Sequence, residues 1–239
     1  MIDLHCHIIP QVDDGANSLK ESVKMAEKAV KDGISHILCT PHHNHHFNNP
    51  KDKVIELVKN LQQELDDRAI PLYLFEGQEV RIYRFLLDEI KNDKILFADV
   101  TDRHLMLEFP TSEVPAYAED MLIQMIEQEG IKPVIVHPER YNWVHHNQNV
   151  LQHFLNLGCL AQLTAPSLVG SYGIKIKHFA HQLIQDNLVH MIASDAHGLK
   201  TRNFYLKEAF DIVRKKYGQE KVDYFQNVAR AVINGDDVI

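Results

Sequence analysis

The chain has 239 residues, 45% hydrophobic and 24% charged, with a net charge of −8 when histidine is neutral. This is the composition of an ordinary soluble globule with a sizeable core, and it argues against a cationic arm or any general attraction to nucleic acid. Three cysteines without a close pair (Cys6, Cys39, Cys159), a start without a signal-peptide pattern, and no apolar run of roughly 18 residues point to a cytoplasmic chain without membrane insertion.

Short apolar runs alternate with stretches of helical period along the whole chain. Strands are expected over Ile2–His5, His36–Thr40, Leu72–Gly77, His104–Glu108, Pro133–His137, Cys159–Leu163 and Val189–Ala193. The first helix is expected from Ser18 to Lys31, opened by a Ser18-x-x-Glu21 capping box and closed before Gly33. The second, from Pro50 to Asp67, carries Val54, Leu57, Val58, Leu61 and Leu65 on one face. Helical patterns follow over Tyr83–Lys91, Ala116–Glu129, Asn147–Asn156, Ile174–Asp186 and Asn203–Tyr217, and then in the C-terminal tail. Strand followed by helix, repeated seven times, implies parallel strands with crossover helices. No linker or composition shift divides residues 1–239, which are read as one domain.

The residues that end the strands carry the chemistry. The first strand ends in Asp3-x-His5-x-His7, the second in Thr40-Pro41-His42, and the third runs into Glu79. The fourth ends in Glu108, the fifth in His137-Pro138-Glu139-Arg140, and the seventh in Asp195-Ala196-His197. The sixth, with Gln162 and Thr164, delivers no metal-competent side chain. Active sites of α/β barrels gather at the C-terminal strand ends, whereas distant strands of an open sheet would not converge on one point. A closed or nearly closed barrel is therefore expected. Alternation along the first strand puts Asp3, His5 and His7 on the interior face, with Cys6 opposite and Asp3 as a partner of the imidazoles.

Sixteen histidines are more than the strand ends need. His104, His153, His178 and His181 lack ligand spacing. Of the run His42-His43-Asn44-His45-His46, only His42 directly follows the strand, and the rest are read as loop. His145 and His146 are read as exposed. Arg140 and Arg202 lie close after His137 and His197, and guanidinium suits a phosphomonoester. The plainer alternative for them is a surface position or a salt bridge to Glu139. No cysteine has an arginine six positions later, and no Gly-rich nucleotide loop is present, so the nucleophile is expected to be a metal-activated water. Nitrogen and oxygen ligands without cysteine suit manganese, iron, cobalt or zinc.

The segments MIDLHCHIIPQVDDG, CTPHH, FEGQEV, LMLEFP, VIVHPERY and VHMIASDAHGLKTR resemble the polymerase-and-histidinol-phosphatase (PHP) family, over residues 1–202 and in consistent order. Within it they are most similar to the bacterial manganese-dependent protein-tyrosine phosphatases of capsule and exopolysaccharide operons. The resemblance implies a distorted, TIM-like (β/α)7 barrel holding two or three divalent ions, manganese first. It places His5, His7, Glu79 and Asp195 on one ion. Glu79 bridges to a second held by Glu108 and His137, and a third lies between Asp14, His42 and His197, with Asp13 an alternative to Asp14. It also implies phosphate binding by Arg140, with Arg202 as a second, and a substrate in the phosphotyrosine tail of a bacterial tyrosine kinase.

Three other readings use the same residues. The first keeps the scaffold and changes the reaction to a histidinol phosphatase, another small-molecule phosphomonoesterase or a phosphodiesterase on nucleic acid, the last disfavoured by the charge of −8. An amidohydrolase would usually need a bridging lysine and a later histidine pair where this chain has Glu79 and Glu108. A metal-binding regulatory domain without turnover would have no need of an intact ligand set beside Arg140.

Overall fold

The computed structural model describes residues 1–200 and 202–238. Thr201, inside the last of the quoted segments, and Ile239, the far bound of the expected domain, lie outside the described residues. The strands are β1 (Ile2–Cys6), β2 (His36–Cys39), β3 (His42–His43), β4 (Tyr73–Glu76), β5 (Glu79–Arg81), β6 (His104–Glu108), β7 (Lys132–Val136), β8 (Leu160–Thr164) and β9 (Met191–Ala193). The helices are α1 (Leu19–Lys31), α2 (Lys51–Asp67), α3 (Leu86–Lys91), α4 (Ala118–Glu127), α5 (Asn142–His146), α6 (Gln148–Leu157), α7 (Ala165–Val169), α8 (Ile174–Gln185), α9 (Leu206–Tyr217) and α10 (Gln219–Asn234), with a 3-10 turn at Pro138–Arg140. Short α5 and α7 were not expected, being too brief for a helical period to show.

All pairings are parallel. One run is β4-β2-β1 and the other β3-β5-β6-β7-β8-β9. They close into one barrel, because β3 and β5 continue β2 and β4, and because a bridge between Cys6 and Ala196 joins β1 to the end of β9. The two broken strands each have a cause. Pro41, without an N–H, interrupts the ladder between β2 and β3, and its carbonyl accepts the Glu79 N–H (3.1 Å). Between β4 and β5, Gly77 passes so near Leu38 that a Cβ there would stand 2.9 Å from its side chain.

Alternation sorts the core. Leu105, Leu107, Ile135, Ala161 and Ile192 face outward into the large cluster shared with the helices. Met106, Val134, Val136, Met191 and Ala193 face inward and meet Val228, Ala229 and Val232 of α10, which closes one end of the lumen. At the N-terminus of α1 the Ser18 hydroxyl accepts the Glu21 N–H (3.2 Å). Glu21 reaches back to the N–H of Asn17 (3.0 Å) rather than that of Ser18, so the capping box is shifted by one residue at one of its two bonds.

The first strand departs from simple alternation. Its register slips between Asp3 and Cys6, a β-bulge. Leu4 therefore faces the lumen, while His5 and His7 still reach the site. The expected pairing of Asp3 with the imidazoles is corrected here. Its Oδ1 instead accepts the Ser194 N–H (2.8 Å), fastening β1 to the end of β9. Burial raises Asp3 to a pKa of about 6. The reading of the whole run after His42 as loop is also corrected: His43 belongs to β3 and is buried against Asn49 and Glu89.

Candidate metal centre

Nine side chains at the lumen end opposite α10 form a nearly continuous cluster. Nε2 of His5 and Nε2 of His7 are 3.2 Å apart, and Glu79 Oε2 lies 3.2 and 3.3 Å from them. Asp195 Oδ1 is 3.5 Å from each imidazole nitrogen. These are five edges of a small tetrahedron of N and O atoms, a donor set and a compactness that suit one transition-metal ion.

Two further groupings share members with the first. Asp14 Oδ1 stands 3.3 Å from Nε2 of both His42 and His197, and His7 adjoins this group, its ring stacked on His197 at 3.6 Å. His42 Nδ1 is 3.0 Å from Glu79 Oε2, and Glu108 completes that group. His137 Nε2 lies 2.8 Å from Glu79 Oε1. His42 thus faces two groups, where the expected partition gave it to one, and His137 stands beside the Glu79 carboxylate with which that partition grouped it.

Several of these atoms are buried close to one another yet make no aligned hydrogen bond among the described residues: His42 Nδ1, Glu79 Oε2, His137 Nδ1 and His197 Nε2, while Glu108 Oε2 lies 3.2 Å from Arg81 Nε. Buried polar groups are normally paired, and donor atoms converging without pairing fit bound cations. Charge tells the same story. Burial would raise Glu79 and Asp195, yet His5 together with the other surrounding cationic and hydrogen-bonding groups outweighs it and holds both carboxylates well below their usual range. Burial would lower His5 and His7, but Glu79 and Asp195 lift the first and Asp13 the second. Glu108 rises to about 7, through burial and then the charge of Glu79. His137 and His197 fall to about 4, through burial first and then Arg140 and His7 respectively.

The supports are as particular as the ligating atoms. His5 Nδ1 donates to Gln162 Oε1 (2.9 Å), leaving Nε2 to point into the cluster. His7 Nδ1 donates to Asp13 Oδ2 (2.8 Å), so of the two adjacent aspartates Asp14 joins the cluster and Asp13 holds a ring in place. Burial opposes ionisation of Asp13, but the charge of His7 and hydrogen bonds keep it at about 2. Gly15 lets this loop lie on β1, since a Cβ there would stand 2.2 Å from the His7 carbonyl. His137 and Asp195 themselves adopt left-handed backbone (φ 38° and 51°), rare strain that gathers at functional sites.

Both arginines reach the rim. Arg140 Nη1 donates to Asp195 Oδ2 (2.6 Å), and Arg202 spans Asp195 and Asp14 Oδ2 at 3.2 Å each. The alternative partner of Arg140, Glu139, is buried and accepts instead from Thr164 and Ser167. His145 and His146 are exposed, and His104 is buried on Asp99. Sequence reasoning overlooked Gln162 and Glu139. Gln162 could have been found by counting alternate residues on the sixth strand, whereas nothing local marks Glu139.

A family model described as capsular polysaccharide synthesis, CpsB/CapC, matches residues 1–234. The tyrosine-protein phosphatase YwqE of Bacillus subtilis is 40% identical over 92% of this chain and 86% of its own length. The tyrosine-protein phosphatase CpsB of Streptococcus pneumoniae is 30% identical over 98% of both chains. A crystal structure from the work on YwqE and CpsB, described as unique metal-dependent tyrosine phosphatases, superposes with a TM-score of 0.95 at 37% identity, covering 100% of this chain and 96% of the other. The organophosphorus hydrolase of Deinococcus radiodurans matches at a TM-score of 0.55 and 10% identity over 97% of this chain and 92% of the other, a likeness of fold.

Proposed function

Since the chain belongs to the CpsB/CapC family, we propose that it is a metal-dependent protein-tyrosine phosphatase acting in the cytoplasm on the phosphotyrosine tail of a partner tyrosine kinase. The observation that carries the reading is the small tetrahedron of His5, His7, Glu79 and Asp195 with two arginines on the same aspartate. His5, His7, Glu79 and Asp195 would hold one ion, and Asp14, His42 and His197 another. Glu108 and His137 extend the set around Glu79. Two or three ions fit, with manganese the first expectation and iron, cobalt or zinc compatible with the same donors. Among the described residues no helix is long and apolar enough to cross a membrane.

Bound divalent ions would make a water nucleophilic near neutral pH and offset phosphoryl charge. The remaining steps belong to the protein. Gln162 and Asp13 fix the tautomers and ring planes of His5 and His7. Arg140, two-thirds covered, and Arg202 would turn from Asp195 to the phosphoryl oxygens as substrate enters, exchanging one anion for another. A tyrosinate leaves with a phenol pKa of about 10, far more readily than a serine alkoxide, so the leaving group itself favours phosphotyrosine. The test is kcat/KM on phosphotyrosine peptide, phosphoserine peptide and histidinol phosphate. A clear preference for phosphotyrosine is expected. Faster turnover of histidinol phosphate would replace the substrate and keep the phosphatase.

A further inference from the structure

Tyr172 lies outside the segments that carry the family resemblance. It sits between α7 and α8, in a turn bounded by the left-handed glycines 170 and 173. The Arg140 guanidinium lies over its ring, 5.7 Å from the centroid. Its hydroxyl is buried and has no hydrogen-bond partner among the described residues. Such a group is costly to leave unpaired, and a phenylalanine would fill the same space without that cost.

The position of this ring is set by the same anchor that sets Arg140. Glu139 Oε1 accepts from the Thr164 N–H (3.0 Å), the Thr164 hydroxyl (2.7 Å) and the Ser167 hydroxyl (2.7 Å). One carboxylate thereby ties the turn that carries Arg140 to the start of α7, whose far end leads into Tyr172. Lys177 of α8 donates to the Val169 carbonyl (3.4 Å), closing the loop from its other side. A phenol is protonated at neutral pH, and burial followed by the charge of Asp195 moves this one further in that direction. The hydroxyl is therefore a neutral donor on a ring packed beside Arg140.

We propose that Tyr172 is a third phosphate-binding residue, its hydroxyl donating to a phosphoryl oxygen of a substrate gripped by Arg140. The inference rests on the phosphomonoester reading of the site. It adds a neutral donor, held by backbone and ring packing, to two long cationic side chains.

Tyr172→Phe keeps the ring on Arg140 and removes only the donor. The first measurement is calorimetric binding of inorganic phosphate to manganese-loaded protein, which needs no turnover. Affinity should fall about tenfold or more in the variant, the scale of a hydrogen bond to a charged group. The second is the Tm of metal-free protein, which should be unchanged or higher in the variant because no buried hydroxyl is left unpaired. The third is kcat/KM, which should fall by a similar factor on an aryl phosphate and on a phosphotyrosine peptide. Equal phosphate affinity in the two proteins would overturn the proposal. So would a lower Tm of the metal-free variant, which would give the hydroxyl a structural partner. Wild-type protein that binds phosphate but hydrolyses no aryl phosphate would reject the phosphatase reading, while the affinity ratio would still decide the role of Tyr172.

Discussion

The two ends of the barrel lumen are built from the same strands and solve opposite problems. Toward α10 the inward residues are Met106, Val134 and Met191, packed on Val228, Ala229 and Val232. Charge there is met locally: Asp99 accepts the backbone N–H of Thr101 (2.9 Å) and of His104 (2.8 Å) and stands 3.0 Å from the His104 ring, whose Nε2 is left without a partner among the described residues. At the other end the same strands finish in imidazoles and carboxylates, several of them buried and unpaired among the described residues, on backbone that twice turns left-handed. Stability is concentrated at one end, and the other keeps unsatisfied charge for ligands. Each of the following changes should affect one end and spare the other.

The largest effect is expected from removing a ligating side chain. His5→Ala, Glu79→Ala or Asp195→Ala should each lower turnover by at least about 10³-fold, since one loss removes both a metal contact and the geometry of its neighbours. Tm of the metal-free protein should change little. Steady-state kinetics beside thermal melts would check this, and a variant that melts far earlier would show that the cluster also holds the fold.

Arg140→Ala comes next, with a cost of roughly 2–5 kcal/mol in kcat/KM if the charged bond to phosphate is desolvated. The loss should be equal for phosphotyrosine and phosphoserine peptides, since the phosphate is common to both. A loss confined to one peptide would assign Arg140 to leaving-group recognition instead. Gln162→Ala should weaken metal affinity by roughly 10–100-fold while leaving maximal turnover at saturating metal largely intact. Metal titration followed by calorimetry would separate these two quantities.

The smallest effect lies at the closed end. Asp99 is held at about 2, because bonds to His104 and Thr101 outweigh the burial that would raise it. Its folded value lies below the ordinary carboxylate value of 3.8. Its contribution, roughly 2 kcal/mol, is therefore present above about pH 4 and lost as pH falls toward 2. Asp99→Asn should lose stability at neutral pH and flatten that acid limb, with turnover per folded molecule unchanged. Urea unfolding at pH 7 and pH 3 would show it.

Much of this division can be read from the chain. His5, His7, Glu79, Glu108 and Asp195 stand at the ends of apolar runs, and period-two patterning locates such runs well. Asp3 shows where that reasoning fails. A bulge adds one residue to the count, and only the strand beside it reveals the slip. The break at Gly77 likewise follows from how closely a neighbouring strand approaches. Gln162 is chemically unremarkable until a ring 157 positions away in the chain places its nitrogen 2.9 Å from it. Tyr172 is legible only from what its hydroxyl lacks.

The central claim is that the open end of the lumen works by binding metal. Its most direct test is stepwise addition of manganese to chelator-stripped protein, with bound metal and turnover of a phosphotyrosine peptide measured on the same samples. The account predicts negligible turnover in stripped protein and activity that rises in step with occupancy, in wild type but not in Asp195→Ala. Full turnover in stripped protein, or undiminished metal-dependent activity in Asp195→Ala, would contradict it.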